Sequence, residues 1–250
     1  MAETRSLLVR TWNIAHGRDV PPGPGYGHAR RKLLAEMCAV LVEDDPDIVL
    51  LQEVPIWAGP LLRERTGMGV TLADAYGAHV PFLHVPLPLA AGAALGRALP
   101  DVVRTQFEGQ GQGLLYGPDL LLVSTRRVLL NEHRWLRGEP RIAQLVRLRH
   151  RKLGVELAVG NVHADPRGAP MILGGDLNAG MHSVGLRSLV GRGWVEDAAE
   201  VGIDHLLVRG AELEWPATRW LPQRRDLRLN GSLPLRLSDH DPVDAVVALA

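Results

Sequence analysis

The chain has 250 residues, of which 46% are apolar, and 28 acidic residues balance 28 basic ones. This length can bury a sizeable core, as one large α/β domain or as two small ones. The zero net charge provides no basic field of the kind that is typical of nucleic-acid-binding proteins. The single cysteine, Cys38, excludes an internal disulfide and a cysteine-rich zinc site, and its apolar helical surroundings predict that it is buried.

Nothing in the sequence predicts a targeting signal or a membrane span. Ser6–Arg10 is too short and too interrupted for the apolar region of a signal peptide. The longest apolar tract, Val80–Leu99, contains three prolines and two glycines, which argues against a transmembrane helix. We therefore expect a cytoplasmic protein. Because no repeat and no linker is visible, we expect residues 1–250 to form a single domain.

The first quarter of the chain is predicted to contain two strands with a helix between them. Ser6–Ile14 is a predicted strand that brings Asn13 to its end. His28–Glu43 has the apolar stripe of an amphipathic helix. Asp47–Gln52 is a continuous apolar strand of the type that is buried on both faces, and it places Glu53 at its carboxyl end.

Further strands are predicted in the second half of the chain, whereas the section that follows Glu53, up to about Gly113, is predicted to be helix and loop without a clear order. A short helix is predicted at Gly185–Val190, and an arginine- and proline-rich loop at Trp215–Leu237. The predicted strands are Asp119–Ser124, Ile142–Arg149, Val155–His163, Met171–Asp176, Ile203–Val208 and Val243–Leu249.

Eight polar side chains lie at or near the ends of these predicted strands. In layered α/β folds, strand ends meet at one edge of the sheet, where ligands bind. Carboxylate oxygens without cysteine favour Mg²⁺ or Mn²⁺ over zinc. Such an ion suits a phosphate ester, with an acid that deprotonates a water and a histidine that stabilises the phosphate. The eight residues are Asn13, Glu53, His163, Asp176, Asn178, Asp204, Asp239 and His240.

Each of these residues, taken singly, has a simpler explanation. Asn13 and Asn178 suit turn caps, Glu53 suits a solvated strand end, and His163 suits a core histidine. It is their joint occurrence at successive strand ends that favours a functional site.

Six short motifs, in this order, resemble those of the endonuclease/exonuclease/phosphatase (DNase I-like) superfamily. The GDLN and SDHDP motifs are the most specific, and LQEV adds to them. The motifs are Thr11-Trp12-Asn13, Leu51-Gln52-Glu53-Val54, Gly160-Asn161-Val162-His163, Gly174-Gly175-Asp176-Leu177-Asn178, Ile203-Asp204-His205 and Ser238-Asp239-His240-Asp241-Pro242.

The resemblance implies a four-layer α/β sandwich, with two mixed β-sheets packed face to face and helices outside. It implies a phosphoester hydrolase, most simply a phosphodiesterase, in which a water attacks phosphorus in line. It also implies that Glu53 is the principal Mg²⁺ ligand, with help from Asn13 and Asp239, and that Mn²⁺ can substitute.

The remaining residues take catalytic roles by the same resemblance. Asp176 would position and activate the attacking water, and Asn178 would hold a phosphate oxygen. His240 would contact the scissile phosphate, oriented by Asp204, while His163 would lie on the other side and assist the leaving group.

Two features depart from the family pattern. Only Ala164–Pro170 separates the strand of His163 from the strand of Asp176, which is too short for a helical crossover between parallel strands. We therefore expect that crossover helix to be missing and the sheet face that it would cover to be bare or otherwise covered. Asp119 stands where many relatives have an asparagine, and no role is assigned to it.

Substrate choice remains open at this stage. The substrate class is a phosphoester, namely nucleic acid, phospholipid or a small phosphate ester. Alternatives to a phosphodiesterase are a phosphomonoesterase acting on a sugar or inositol phosphate, and a binding module with an inactive site. A dinuclear zinc hydrolase built from His163, Asp165, Asp239 and His240 is a weaker alternative, because it lacks a His-x-His cluster. The arginines of Trp215–Leu237 suit either a polyanion or a solvated surface, and we favour the surface.

Overall fold

The computed structural model describes most of the chain. Within the described residues, no helix is long and apolar enough to cross a lipid bilayer. The described residues are 5–17, 31–76, 87–98, 110–129, 142–161, 171–177, 180, 183–191, 194–195, 202–227 and 235–249.

Two β-sheets dominate the described part of the chain. The first has the strand order β10-β13-β1-β2-β4-β3, and the second has the order β5-β6-β7-β8-β9. The strands of the first sheet are β1 (Arg5–Asn13), β2 (Ile48–Val54), β3 (Gly69–Tyr76), β4 (Gln110–Tyr116), β10 (Glu212–Arg219) and β13 (Val243–Leu249). Those of the second are β5 (Leu120–Leu129), β6 (Ile142–His150), β7 (Glu156–Asn161), β8 (Met171–Asp176) and β9 (Asp204–Arg209).

Short helices and a small ribbon complete the described structure. The ribbon pairs β11 (Asp226–Leu227) with β12 (Leu235–Arg236). Turns of 3₁₀ helix lie at Ala15–Gly17 and Pro222–Arg225. The α-helices are α1 (Arg31–Leu41), α2 (Gly59–Thr66), α3 (Leu89–Ala98) and α4 (Val184–Val190).

Each sheet contains one parallel pair among antiparallel neighbours. β1 pairs with β2 in parallel in the first sheet, and β7 pairs with β8 in parallel in the second. The carboxyl ends of a parallel pair lie at the same edge of the sheet. The ends of these strands carry Asn13, Glu53 and Asp176, so each parallel pair brings two motif-bearing strand ends together.

Three apolar clusters show how the layers are stacked. The first, which includes Leu50, Val159 and Leu206, fills the space between the two sheets. A second packs α1 and α2 against the outer face of the first sheet, and a third packs α4 against the outer face of the second sheet. The predicted four-layer α/β sandwich is therefore confirmed.

The sequence of β2 explains why this strand is central. Ile48 and Leu50 point between the sheets, while Val49 and Leu51 point towards α1, and all four are fully buried. A strand covered on both faces needs an uninterrupted apolar run rather than alternation. Its two polar residues, Gln52 and Glu53, lie near its carboxyl end, at the edge of the sheet where the predicted site residues gather.

Two segments differ from the prediction. The prediction of helix and loop up to about Gly113 is wrong for β3 and for the first four residues of β4, because these segments are rich in glycine and small residues and lack an apolar run. The predicted loop at Trp215–Leu237 is also wrong in part, since it contains most of the edge strand β10 and the β11–β12 ribbon. Pro216 is tolerated in β10 because that strand has a neighbour on one side only.

The short link between β7 and β8, residues 162–170, lies outside the described residues. The predicted absence of a crossover helix concerns this link and stays a prediction. The two strands that it joins are parallel neighbours, as the motif order required. On the outer face of this sheet, α4 covers Leu173 and Leu207. Further along the same face, Arg147 and Arg149 form exposed ion pairs with Glu156 instead of an apolar contact.

Candidate active site

Six of the eight predicted residues are described, and they converge from both sheets. Asn13 ends β1 and Glu53 lies near the end of β2, while Asp176 ends β8 and Asp204 begins β9. Asp239 and His240 lie in the segment that leads into β13. His163 and Asn178, together with Asp165, lie outside the described residues.

Asn13 connects the carboxylates of the two sheets. Its amide nitrogen Nδ2 lies 3.2 Å from Oε1 of Glu53 and 3.4 Å from Oδ2 of Asp176. Its amide oxygen accepts a hydrogen bond from the backbone N–H of Ala15 at 3.0 Å, which sets the orientation of the amide. One buried side chain therefore holds Glu53 and Asp176 beside each other.

Glu53 is held in an unusual conformation and environment. Its backbone φ is +53°, a left-handed value that is uncommon outside glycine and is concentrated at functional sites. Burial raises the pKa of its carboxyl; the hydrogen bond from Asn13 opposes this effect, and the negative charges of Asp239 and Asp176 add to it. Such an accumulation of carboxylates is relieved by a bound cation.

His16 also reaches this carboxylate, and the sequence analysis missed it. Its Nε2 lies 3.4 Å from Oε2 of Glu53, and the residue is buried. It lies in the 3₁₀ turn after β1, where Ala15 and His16 both have positive φ values. The only sequence indication was a histidine three residues after the strand-end Asn13, and a positive φ cannot be read from residue type here.

His240 and Asp204 form a hydrogen-bonded pair. Nδ1 of His240 lies 2.8 Å from Oδ2 of Asp204, and its Nε2 lies 3.9 Å from Oδ2 of Asp176 and 4.0 Å from Oδ1 of Asp239. Burial lowers the pKa of His240, but the hydrogen bond to Asp204 and the surrounding carboxylates outweigh it and raise the pKa to about 9. The imidazolium form is therefore favoured at neutral pH, and its Nε2–H is available to an anion.

Hydrogen bonds to β1 position the segment that carries His240. The buried Ser238 hydroxyl donates to the backbone carbonyl of Asn13 at 2.7 Å and accepts from the N–H of His240 at 3.1 Å. The indole N–H of Trp12 donates to the carbonyl oxygen of His240 at 3.0 Å. These contacts explain why serine precedes the Asp-His pair and why tryptophan precedes Asn13.

One group of side chains has the geometry to hold a metal ion. Ligand atoms of Asp176, Asp204 and His240 lie within 4.8 Å of one another. Two further carboxylates lie beside this group. The amide of Asn13 links Glu53 to Asp176, and Oδ1 of Asp239 lies 4.0 Å from Nε2 of His240. Oxygen donors of this kind suit a hard divalent cation.

Among the described residues, arginines of the Trp215–Leu237 segment contact acidic side chains, and Lys152 contacts Asp119. Arg224 pairs with Glu43 and Asp44 and stacks on Trp220 at 3.6 Å from the ring centre. Arg236 pairs with Asp226, and Arg219 lies 3.7 Å from Asp241. Asp119 follows β4 at the opposite edge of the sheets, 3.7 Å from Lys152.

Similar structures support the fold that this geometry occupies. An endonuclease/exonuclease/phosphatase family protein from Bacteroides thetaiotaomicron superposes with a TM-score of 0.67 at 15% identity, covering 99% of this chain and 96% of that chain. A mannosyl-6-phosphatase from the same species, strain VPI-5482, gives 0.64 at 15% identity, with 96% and 99% covered. The human Nocturnin catalytic domain gives 0.59 at 16% identity, with 97% and 93% covered.

No curated protein matches the chain. At these identities the structural likeness establishes the fold alone, so the family assignment depends on the sequence. The sequence model of the Endonuclease/Exonuclease/phosphatase family matches residues 11–240, a span that runs from the end of β1 to His240 and includes every residue of the site. The chain therefore belongs to the endonuclease/exonuclease/phosphatase family of phosphoester hydrolases.

Proposed function

We propose that the protein is a divalent-metal-dependent phosphodiesterase that uses an activated water for in-line attack on phosphorus. The observation that carries this proposal is the meeting of three carboxylates, Glu53, Asp176 and Asp239, with the paired His240 at the edge where both sheets end. Acids that attract a cation beside a cationic histidine form a site for an anionic substrate.

Mg²⁺, or Mn²⁺ in its place, is the cofactor that these donors fit. Glu53 and Asp239 would supply carboxylate oxygens, and Asn13 would hold the carboxylates beside the ion. The same ion, when bound, would stabilise the charge that develops on the phosphoryl oxygens. The alternative position between Asp176, Asp204 and His240 is less suitable, because the 2.8 Å hydrogen bond between His240 and Asp204 already occupies two of its ligand atoms.

The side chains of the chain itself perform the proton transfers and the positioning. Asp176 would hold the attacking water through Oδ2 and accept its proton, with Asn13 keeping the carboxylate in place. His240 would donate from Nε2 to a phosphate oxygen, and Asp204 would keep the imidazole oriented and protonated. His163 and Asn178 keep their predicted roles, at the leaving group and at a phosphate oxygen.

A phosphomonoesterase acting on a sugar phosphate is the second candidate. One of the proteins with this fold is a mannosyl-6-phosphatase, and the structural match covers nearly the whole of both chains. The two candidates differ in whether the phosphorus carries one ester bond or two, so paired synthetic substrates separate them.

The test is metal-dependent hydrolysis of bis-p-nitrophenyl phosphate and of p-nitrophenyl phosphate, in Mg²⁺, Mn²⁺ or EDTA. We expect turnover of the diester with either metal and none in EDTA. Asp176→Asn and Glu53→Gln should each lower kcat by at least about 10²-fold, the scale of a lost general base. Asp119→Asn is the matched control, a carboxylate at the opposite edge whose loss should leave turnover unchanged.

Three outcomes would change the assignment. Preferential turnover of the monoester would favour the phosphomonoesterase. Turnover supported by zinc alone would favour the dinuclear hydrolase. A folded wild-type protein that hydrolyses neither these compounds, nor supercoiled DNA, nor inositol phosphates would be a binding module on this fold.

A further inference from the structure

A buried polar bridge joins the two sheets directly beneath the candidate site. Its members are Thr11 on β1, Gln52 on β2 and Asn161 on β7, which are 0%, 5% and 0% exposed. All three point between the sheets, in a space that is filled mainly by leucine, valine, isoleucine and alanine. Buried amides are less favourable than apolar side chains of the same size, so their presence here requires a reason.

The hydrogen bonds of the bridge run within one sheet and across to the other. Nε2 of Gln52 lies 2.8 Å from Oδ1 of Asn161 and 3.1 Å from Oγ1 of Thr11. Nδ2 of Asn161 donates in return to the backbone carbonyl of Leu51 at 3.2 Å. The amides of Gln52 and Asn161 therefore connect β2 and β7 by two hydrogen bonds across the gap between the sheets.

The backbone of β8 passes directly over this bridge. A Cβ atom on Gly175 would lie 3.0 Å from Oδ1 of Asn161 and 3.3 Å from Nε2 of Gln52. The φ of Gly175, +148°, also lies in the region that favours glycine. Asp176 is the next residue. The bridge therefore limits how closely the backbone that carries the Asp176 side chain can approach the first sheet.

We propose that Gln52 and Asn161 are positioning residues that set the separation of Glu53 on one sheet and Asp176 on the other. Gln52 immediately precedes Glu53, and Gly175, which has little room for a Cβ above the two amides, immediately precedes Asp176. The bridge thereby sets the distance that the amide of Asn13 spans between the two carboxylates. This inference rests on the proposed function and assigns two residues that touch neither substrate nor metal.

The test replaces the polar pair by apolar residues of similar size, in Gln52→Met, Asn161→Leu and the double variant. Each single change leaves the other amide buried without the 2.8 Å hydrogen bond that joins the pair, whereas the double change removes both amides. We expect the double variant to unfold in urea at a midpoint at or above those of the single variants. We nevertheless expect its kcat for the diester to stay about 10²-fold below wild type, with little change in KM, because a small misplacement of reacting groups is sufficient for such a loss.

A second readout is Mn²⁺ binding by calorimetric titration, which does not depend on turnover. The double variant should bind Mn²⁺ about 10- to 100-fold more weakly, the usual effect of removing groups that orient a metal ligand. Gln144→Met is the matched control. This buried glutamine also bridges the sheets, with Nε2 3.1 Å from the carbonyl of Thr71, but it contacts neither β2 nor β8 in these hydrogen bonds.

The outcomes separate this inference from the proposed function. A double variant with wild-type kcat and wild-type Mn²⁺ affinity overturns the positioning role while the proposed function stands. Activity that follows stability across the three bridge variants, with the double variant more active than either single variant, would make the bridge merely structural. A wild-type protein without turnover removes the proposed function, and the Mn²⁺ affinities then decide the inference. If the wild-type protein does not bind Mn²⁺ either, the result contradicts both the proposed function and the positioning inference.

Discussion

Cys38 lies in α1 with none of its side chain exposed, packed among the apolar residues that join this helix to the first sheet. Burial raises the pKa of its thiol to about 12, with only a small opposing effect of Arg65. Since the thiolate is the reactive form, we expect no reaction with Ellman's reagent in the native protein near pH 8.5, roughly the pKa of a free thiol. Stoichiometric reaction should follow in concentrated guanidinium, with Cys38→Ala as the control.

The same shift makes a prediction about stability. Below the ordinary thiol pKa of 9.0 the folded and unfolded chains are both protonated, so this group does not weaken the fold. As the pH rises from 9.0 towards about 12, only the unfolded chain loses the proton, and stability decreases. Cys38→Ala should lack this component of the alkaline loss in urea unfolding; identical alkaline profiles for the two proteins would contradict the burial argument.

Individual residues of the site were predictable where they end an apolar strand or occupy a specific motif. Asp176, Asp204 and His240 were predicted in this way. The structure brings one ligand atom of each side chain within 4.8 Å of those of the other two. His16 was not predictable, because its approach to Glu53 depends on two successive positive φ values in a turn. The catalytic and metal-binding roles themselves remain predictions until the variants are measured.

At the scale of elements, the attachment of α1 to the first sheet depends on one buried charge. Arg10 on β1 is fully buried and pairs through two nitrogens, each at 2.8 Å, with Asp244 on β13. Its Nη1 also contacts the carbonyls of Val40, Leu41 and Glu43 at the end of the helix, at 3.1, 2.9 and 2.8 Å. The guanidinium thus joins two strands and a helix terminus at one point.

Arg10→Met should therefore be strongly destabilising, by about 3–5 kcal/mol, because it removes the cation that pairs with the Asp244 carboxylate and its hydrogen bonds to three carbonyls. The measurement is urea unfolding followed by circular dichroism. Arg149→Met is the comparison, since Arg149 pairs with Glu156 on the exposed outer face and its loss should change stability by less than about 1 kcal/mol. Equal losses of stability in the two variants would show that burial of the ion pair does not determine its contribution to the free energy of unfolding.

Elements with a strong apolar run, such as β2 and β13, were predictable to within two residues, whereas edge and glycine-rich strands were not. β4 begins Gln-Gly-Gln-Gly, which has no intrinsic preference for a strand, and it forms because β2 and β3 pair with it on both sides. β10 carries Pro216 and exposed residues on both faces, and pairing with β13 alone determines it. Tertiary pairing overrides local preference in both cases.

At the scale of the whole molecule, the close approach of the two sheets depends on Gly174. A Cβ atom there would lie 2.6 Å from Cδ1 of Leu50 on the first sheet and 2.6 Å from Cδ2 of Leu206 on β9. Gly174→Ala should destabilise the protein by about 1–3 kcal/mol, the usual result of overpacking a core. Gly180→Ala, where nothing lies within 4 Å of the added methyl, is the control and should cause no loss in urea unfolding. A midpoint equal to that of the control would show that the side chains of Leu50 and Leu206 make room for the methyl group without penalty.

The central position of β1 and β13 has a consequence for how the protein is made. These strands pair along seven residues, from Arg5 with Leu249 to Thr11 with Val243, and β13 also supports β10. During synthesis β1 is therefore without this neighbour until some 230 later residues have been added, and such distant pairing is slow to form. Asp239 and His240 emerge from the ribosome just before β13. A nascent chain thus holds Glu53 and Asp176 before it holds the histidine that faces them, and the candidate site is complete only when the last strand has been added.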